Sequence, residues 1–211
     1  MEIAGNHGEG RPLGFDPDVP VADLERIREL LPELELIDDP QRRELVARIW
    51  AHSWRVSQWA DPSDAYTTIG RLPEQRDPYL PRWNQIEHTR GVVAMVEAML
   101  PTIERHVGCP VDRQVAIVSA LLHDAAKLVE CGPGGADGPV KTPIGAVLHH
   151  APVGAQWAVE AGFEPAIAHA IIAHSPSVSA EPSTPEALLV KVADQVITDF
   201  NRMATWREAE R

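Results

Sequence analysis

Cysteine is scarce in this chain of 211 residues: Cys109 and Cys131 are the only two. Two cannot build a disulfide framework or a cysteine-rich zinc site. Positive charge is also short. Nineteen Lys and Arg stand against 31 Asp and Glu, a formal net charge of -12. A duplex nucleic acid or an anionic membrane needs a positive footprint, so both are excluded as expected partners. A small anionic substrate is not excluded, because a bound metal ion can dominate the field around it. No apolar run approaches the roughly 18 residues of a membrane span. Met1 to Asn6 has neither the basic start nor the apolar stretch of a signal peptide. These absences predict a cytoplasmic protein. Strand-period alternation is missing throughout, and so is any internal repeat. The expected class is all-α. Apolar residues make up 44% and charged residues 24%, the globular range, and the length suits one domain, with or without an appended arm. Nine histidines are present, several of them inside apolar helical segments.

Residues 1–20 are rich in Gly and Pro and read as an irregular, flexible arm. Val21 to Leu31 has the apolar spacing of a short amphipathic helix. Asp39-Pro40 is a start signal, because Asp can cap the free amides and Pro suits the first turn. The helix that follows carries Leu45, Val46, Ile49, Trp50 and Trp54. Trp50, Trp54 and Trp59 read as a core stripe rather than a stacking platform. Residues 61–83 form a long Pro-containing connection with the character of a lid or substrate loop. Gln85 to His106 is the next helix, bent or ended by Pro101. Asp112 to Glu130 is expected as one buried helix, and 131–142 as a Gly-rich loop. That loop lacks the Lys-Ser/Thr of a phosphate-binding P-loop. Thr142-Pro143 opens a short helix ending in His149 and His150. Helices over 152–161, 165–174 and 186–205 complete the chain. The organisation is thus an arm (1–20), N-terminal helices with a lid-like loop (21–83) and a core (84–205).

The doublet His123-Asp124 follows the apolar run Val118 to Leu122. Neighbours on a helix point about 100° apart, so the two can share one ion only at a crevice between helices. A charged Asp at that depth needs a partner, and a metal ion serves. Lys127 follows at i+3 from Asp124 and lies along the same edge. The other candidates come one per helix: His88, then His149 or His150, then His174 after Ile171-Ile172-Ala173, and Asp194 within the apolar run from Leu188. Histidines and carboxylates converging from several helices are how bundles build metal sites. His7, His52, His106 and His169 read as packed or surface residues.

The order His88, His123-Asp124, His150, His174, Asp194 resembles the HD-domain superfamily, which is named for its His-Asp doublet. Leu121-Leu-His-Asp-Ala-Ala-Lys127 is similar to its central H-D-x-x-K motif. His150-Ala-Pro-Val-Gly154 is similar to the H-P-x-x-G pattern of members that bind two metals, and the spacing to Gly154 favours His150 over His149. The resemblance covers about residues 84–205. It implies that His88, His123, Asp124 and Asp194 hold one metal, and that Asp124 bridges to a second held by His150 and His174. Single-metal members lack the two middle histidines.

A dinuclear site of this kind acidifies a water and clamps a phosphate from both sides. The expected function is therefore hydrolysis of a phosphate ester or similar small anionic substrate. Asp124 and Lys127 are the catalytic candidates, and Lys127 also offers a point charge to a substrate oxyanion. The alternative is the branch of mixed-valent di-iron oxygenases that cleave C–C or C–P bonds. The phosphonate-cleaving members carry a Tyr and, three residues on, a Glu shortly before the first His. Here Tyr79 fits, but Arg82 stands where that Glu would be. Tyr79 and Arg82 are the further substrate-binding candidates, with Arg90 as another anion-binding cation. The expected cofactors are two divalent or mixed-valent transition-metal ions, iron or manganese first, with zinc, cobalt and nickel acceptable to such a shell.

Overall fold

A computed structural model describes residues 13–66, 84–134 and 139–209, with side chains of the last helix through 201 and at 203. Tyr79, Arg82, most of the 61–83 connection and the centre of the Gly-rich loop lie outside the described residues. Eight α-helices carry the described fold: α1 (Val21–Leu30), α2 (Pro40–Val56), α3 (Gln85–Thr102), α4 (Arg113–Leu122), α5 (Lys127–Glu130), α6 (His150–Glu160), α7 (Pro165–Ala173) and α8 (Pro185–Ala209). The class is all-α, as expected. One two-residue antiparallel pair interrupts it, β1 (Cys131–Gly132) with β2 (Val140–Lys141). It pinches the base of the Gly-rich loop, and a two-residue strand is too short to show a period in sequence. No described helix is long and apolar enough to cross a membrane.

Local signals set the helix starts. Asp39 accepts from the Gln41 amide at 2.8 Å, with Pro40 in the first turn. Asn84 accepts from the amides of Ile86 and Glu87 and opens α3. Asp112 does the same for Gln114 and Val115 at the head of α4. Each cap satisfies amides that the helix itself cannot. Gly162 ends α6 with φ of 90°, a conformation that favours glycine. Pro101 lies inside α3 without ending it, and a π-helical turn over Ile103–Val107 follows.

α4 is the central element. It packs against α2, α3, α7 and α8, and every residue from Val115 to Leu122 is buried. Each fully buried Ile or Leu contributes about 1.5–3 kcal/mol, which offsets the cost of carrying the polar turn that follows into the interior. α1 and α2 share the same apolar cluster as the later helices, with Trp50 fully buried and Trp54 and Trp59 at its edge. Residues 13–20, the described part of the arm, have no regular helix but lie against this cluster. Trp157 donates to the Leu13 carbonyl at 2.8 Å, and Val19 is buried.

Two expectations need correction. The stretch 112–130 is not one helix. It breaks at 123–126, where the Ala125 and Lys127 amides bond to the carbonyls of Leu122 and Asp124, three residues back. The carbonyls left over are taken by α2. Trp50 Nε1 donates to Leu121 at 2.8 Å, and Ser53 Oγ donates to Ala125 at 2.6 Å. The apolar period runs through the break, so the sequence concealed it. Second, His149 and His150 do not end a helix over 142–150. That segment is a series of turns, with Thr142 accepting from the Ala146 amide at 2.9 Å, and the doublet opens α6. His149 is itself the cap, its ring Nδ1 accepting from the Ala151 amide at 3.2 Å.

Candidate metal centre

His123 and Asp124, at the end of α4, face the space between α3, α6, α7 and α8. His88 comes from the first turn of α3 and His150 from the first residue of α6. His174 comes from the end of α7, and Asp194 from the middle of α8. His88, His123, Asp124, His150 and His174 are all buried.

These six side chains form two clusters that share Asp124. In the first, His88 Nε2 lies 3.2 Å from His123 Nε2 and 3.1 Å from Asp194 Oδ1. Asp124 turns its Oδ2 towards this group, 3.3 Å from His88 and 3.5 Å from His123. In the second, His150 Nε2 lies 3.3 Å from His174 Nε2. Asp124 turns its other oxygen, Oδ1, to that pair, at 3.0 Å and 3.4 Å. One carboxylate thus faces both clusters, one oxygen to each. The clusters are positioned to hold two metal ions jointly.

The proton positions bear on what the clusters can hold. His123 Nδ1 is 2.7 Å from the Ala120 carbonyl, and His174 Nδ1 is 2.6 Å from the Ile171 carbonyl. His150 Nδ1 is bonded to Glu130 Oε2. Carbonyls and carboxylates only accept, so all three rings carry a proton on Nδ1 and turn Nε2 to the clusters. In the second cluster, with both rings in the neutral form that a ligand takes, two Nε2 lone pairs and Asp124 Oδ1 meet with no donor between them. Three acceptors converging at 3.0–3.4 Å repel one another unless a cation sits among them. Their spacings match the edges, about 3.0 Å octahedral and about 3.4 Å tetrahedral, that ligand bonds of about 2.1 Å generate. The residues present fit a metal pair.

Electrostatics agree. Burial would push the Asp124 carboxyl up, but the Lys127 ammonium beside it holds it well below the usual carboxylate range. Burial opposes ionisation of Asp194 too, yet its bond to His88 and the nearby imidazoles keep it ionised. Burial lowers His150, and it pushes His123 down to about 3, so both stay neutral as ligands must. His88 shifts the other way: burial disfavours its charge, but bonds to Asp124 and Asp194 outweigh that.

Lys127 is where its spacing put it, with Nζ 2.7 Å from Asp124 Oδ2. Arg90 is engaged elsewhere, pairing with Glu33 at 2.9 Å and Glu87 at 3.1 Å. His52 is a packed residue, edge-on to Phe15 and Trp157. His106 is exposed, and His169 bonds to Ser183.

Two neighbours of the clusters escaped the sequence reading. Gln85 is fully buried and donates to Asp124 Oδ2 at 3.1 Å. It sits three residues before His88 on the same helix face, a spacing that could have found it. Glu130 backs His150 from behind and also pairs with Lys141. Glu130, His149 and His150 form a third group within ligand distance of one another. Its donors are already committed, however, to Lys141, the Ala151 amide and the ring of His150.

No curated protein and no solved structure matches the chain significantly. A family model does: that of the HD domain, over residues 86–199. The match spans more than half the sequence and contains all six clustered ligand candidates and Lys127, and on that footing the chain belongs to the HD-domain family.

Proposed function

We propose that the chain is a dinuclear phosphohydrolase acting on a small anionic phosphate ester. His88, His123, Asp124 and Asp194 would hold one ion, and Asp124, His150 and His174 the second. The observation that carries this is the convergence of four imidazole Nε2 atoms, two on each oxygen of the single Asp124 carboxylate. When bound, the ions would supply an acidified water and two positive charges facing a phosphate. Iron and manganese are the favoured metals for such a nitrogen and oxygen shell, and zinc, cobalt or nickel would also be accepted.

The chain's own groups support an anionic substrate. Two ammoniums, Lys127 and Lys141, stand against three carboxylates, Asp124, Asp194 and Glu130. That leaves one net negative charge, which two divalent ions would turn into three positive. The surrounding protein is acidic, so the attraction is local rather than global. Lys127 is pinned to Asp124 and remains partly open to solvent. From there it would neutralise a non-bridging phosphate oxygen while its pairing holds the Asp124 carboxylate in place. Gln85 steadies the same carboxylate from the other side.

The test is phosphate release from a panel of nucleotides and phosphomonoesters by the manganese-loaded chain without oxygen. Release that disappears in Asp124→Ala is the expected result. Turnover that requires both iron and oxygen would instead establish the oxygenase branch.

A further inference from the structure

The three histidines with fixed Nδ1 protons do not obtain them in the same way. His123 and His174 each bond to the carbonyl three residues earlier in their own helix. His150 has no such carbonyl, because it is the first residue of α6 and the preceding segment is a series of turns. A ring at a helix start must find its acceptor elsewhere, and Glu130 supplies it.

We propose that Glu130 is the positioning residue of the second metal site, orienting His150 and making it the strongest imidazole donor of the set. This rests on the two-ion reading above. Glu130 Oε2 accepts from His150 twice, from ring Nδ1 and from the backbone amide at 3.0 Å. The two bonds fix the ring and the start of α6 together. The carboxylate also lies at the positive end of the α6 dipole. Its other oxygen is held by Lys141 on β2, and Glu130 is buried. Gly145 closes the arrangement from behind, since a Cβ there would run into the Glu130 carbonyl. A carboxylate partner raises the basicity of a ligating imidazole more than a carbonyl does, and losing such a partner typically weakens a metal by about 10- to 100-fold. The two sites are therefore unequal in their support, and only the second depends on residue 130.

Cobalt(II) titration of the metal-free full chain tests this, because its d–d absorption reports each coordination sphere as it fills. The wild type is expected to take two ions. Glu130→Ala should hold the first ion with unchanged affinity and bind the second about 10- to 100-fold more weakly, with an altered second absorption band. Glu130→Gln keeps an acceptor for Nδ1 and loses the charge, so it should restore the band and only part of the affinity. A second ion bound as tightly in Glu130→Ala as in the wild type overturns the proposal, as does equal weakening of both ions, which marks a merely structural role. His150→Ala separates the two claims. If it still binds two ions, the ligand assignment itself is wrong; if it binds one while Glu130→Ala binds two normally, only the role of Glu130 fails.

Discussion

At the scale of single residues, the centre depends on charges that cannot be neutralised one at a time. Asp124 serves both clusters, so Asp124→Asn should cost both ions and not one; metal counted per chain is the check, and two ions retained would contradict a bridging role. Lys127 touches Asp124 but is not a ligand candidate. Lys127→Met should leave the metal count at two while lowering kcat for phosphate esters by about 10- to 1,000-fold, a loss on the scale of one preorganised charge-stabilising group. Six ligand candidates were legible in the sequence because His123, Asp124, His174 and Asp194 follow or lie in apolar helical runs and, with His88 and His150, stand in an order that resembles one family. Glu130 and Gln85 were not singled out. They act through neighbours brought close by the fold, and a Glu ending a short helix carries no mark of its task.

Among the elements, the His-Asp doublet sits where α4 gives way to turns before α5. Neighbours on a helix diverge by about 100°, and the two share partners because His88, His150 and His174 converge on that point from other helices. Trp50 and Ser53 keep the helix open by capturing the carbonyls of Leu121 and Ala125. Trp50→Phe leaves the Leu121 carbonyl buried without its donor, at a cost of about 1–3 kcal/mol. In a chain of this length that lowers Tm by about 2–12 °C. Thermal melts of the metal-free variant should show the loss, and an unchanged Tm would mean the bond does not hold the break. Helix positions read well from the sequence where a cap coincided with an apolar stripe, as at Asp39 and Asp112. They read poorly at 123–126 and 142–150. In the first the stripe continues although the hydrogen bonding does not. In the second Thr142-Pro143 looks like a start, but only turns form, because the segment wraps over Glu130 and Thr142 donates its hydroxyl to the Val129 carbonyl at 2.6 Å.

For the molecule as a whole, the N-terminal helices and the arm are tied to the metal-binding bundle through His52. Its ring accepts from the Asp16 amide at 3.3 Å and packs between Phe15 and Trp157. Burial is the main cause holding its pKa below the ordinary 6.5. The unfolded chain therefore takes up a proton on falling through about pH 6.5, where the folded chain does not. This contribution is complete above that pH and is lost below it. His52→Leu removes the protonation difference, so the Tm gap between wild type and variant should narrow as pH falls from 7.5 to 5.5; a gap that stays constant would place the His52 proton outside the folding equilibrium. Both proteins should be compared without metal, because metal release adds its own pH dependence. Bound ions should stabilise the whole fold by mass action, by about 2.7 kcal/mol at a hundredfold excess over Kd.

Asp124, with one oxygen turned to each cluster, would join the two sets of nitrogen and carboxylate donors into one two-ion centre. The most direct test is metal analysis per chain on protein purified without oxygen, for the wild type, His150→Ala and His174→Ala, with an electron paramagnetic resonance spectrum of each. Two ions are expected in the wild type, magnetically coupled where the metal is paramagnetic, and one uncoupled ion in each variant. A single ion in the wild type, or two ions persisting in both variants, would contradict the two-ion reading.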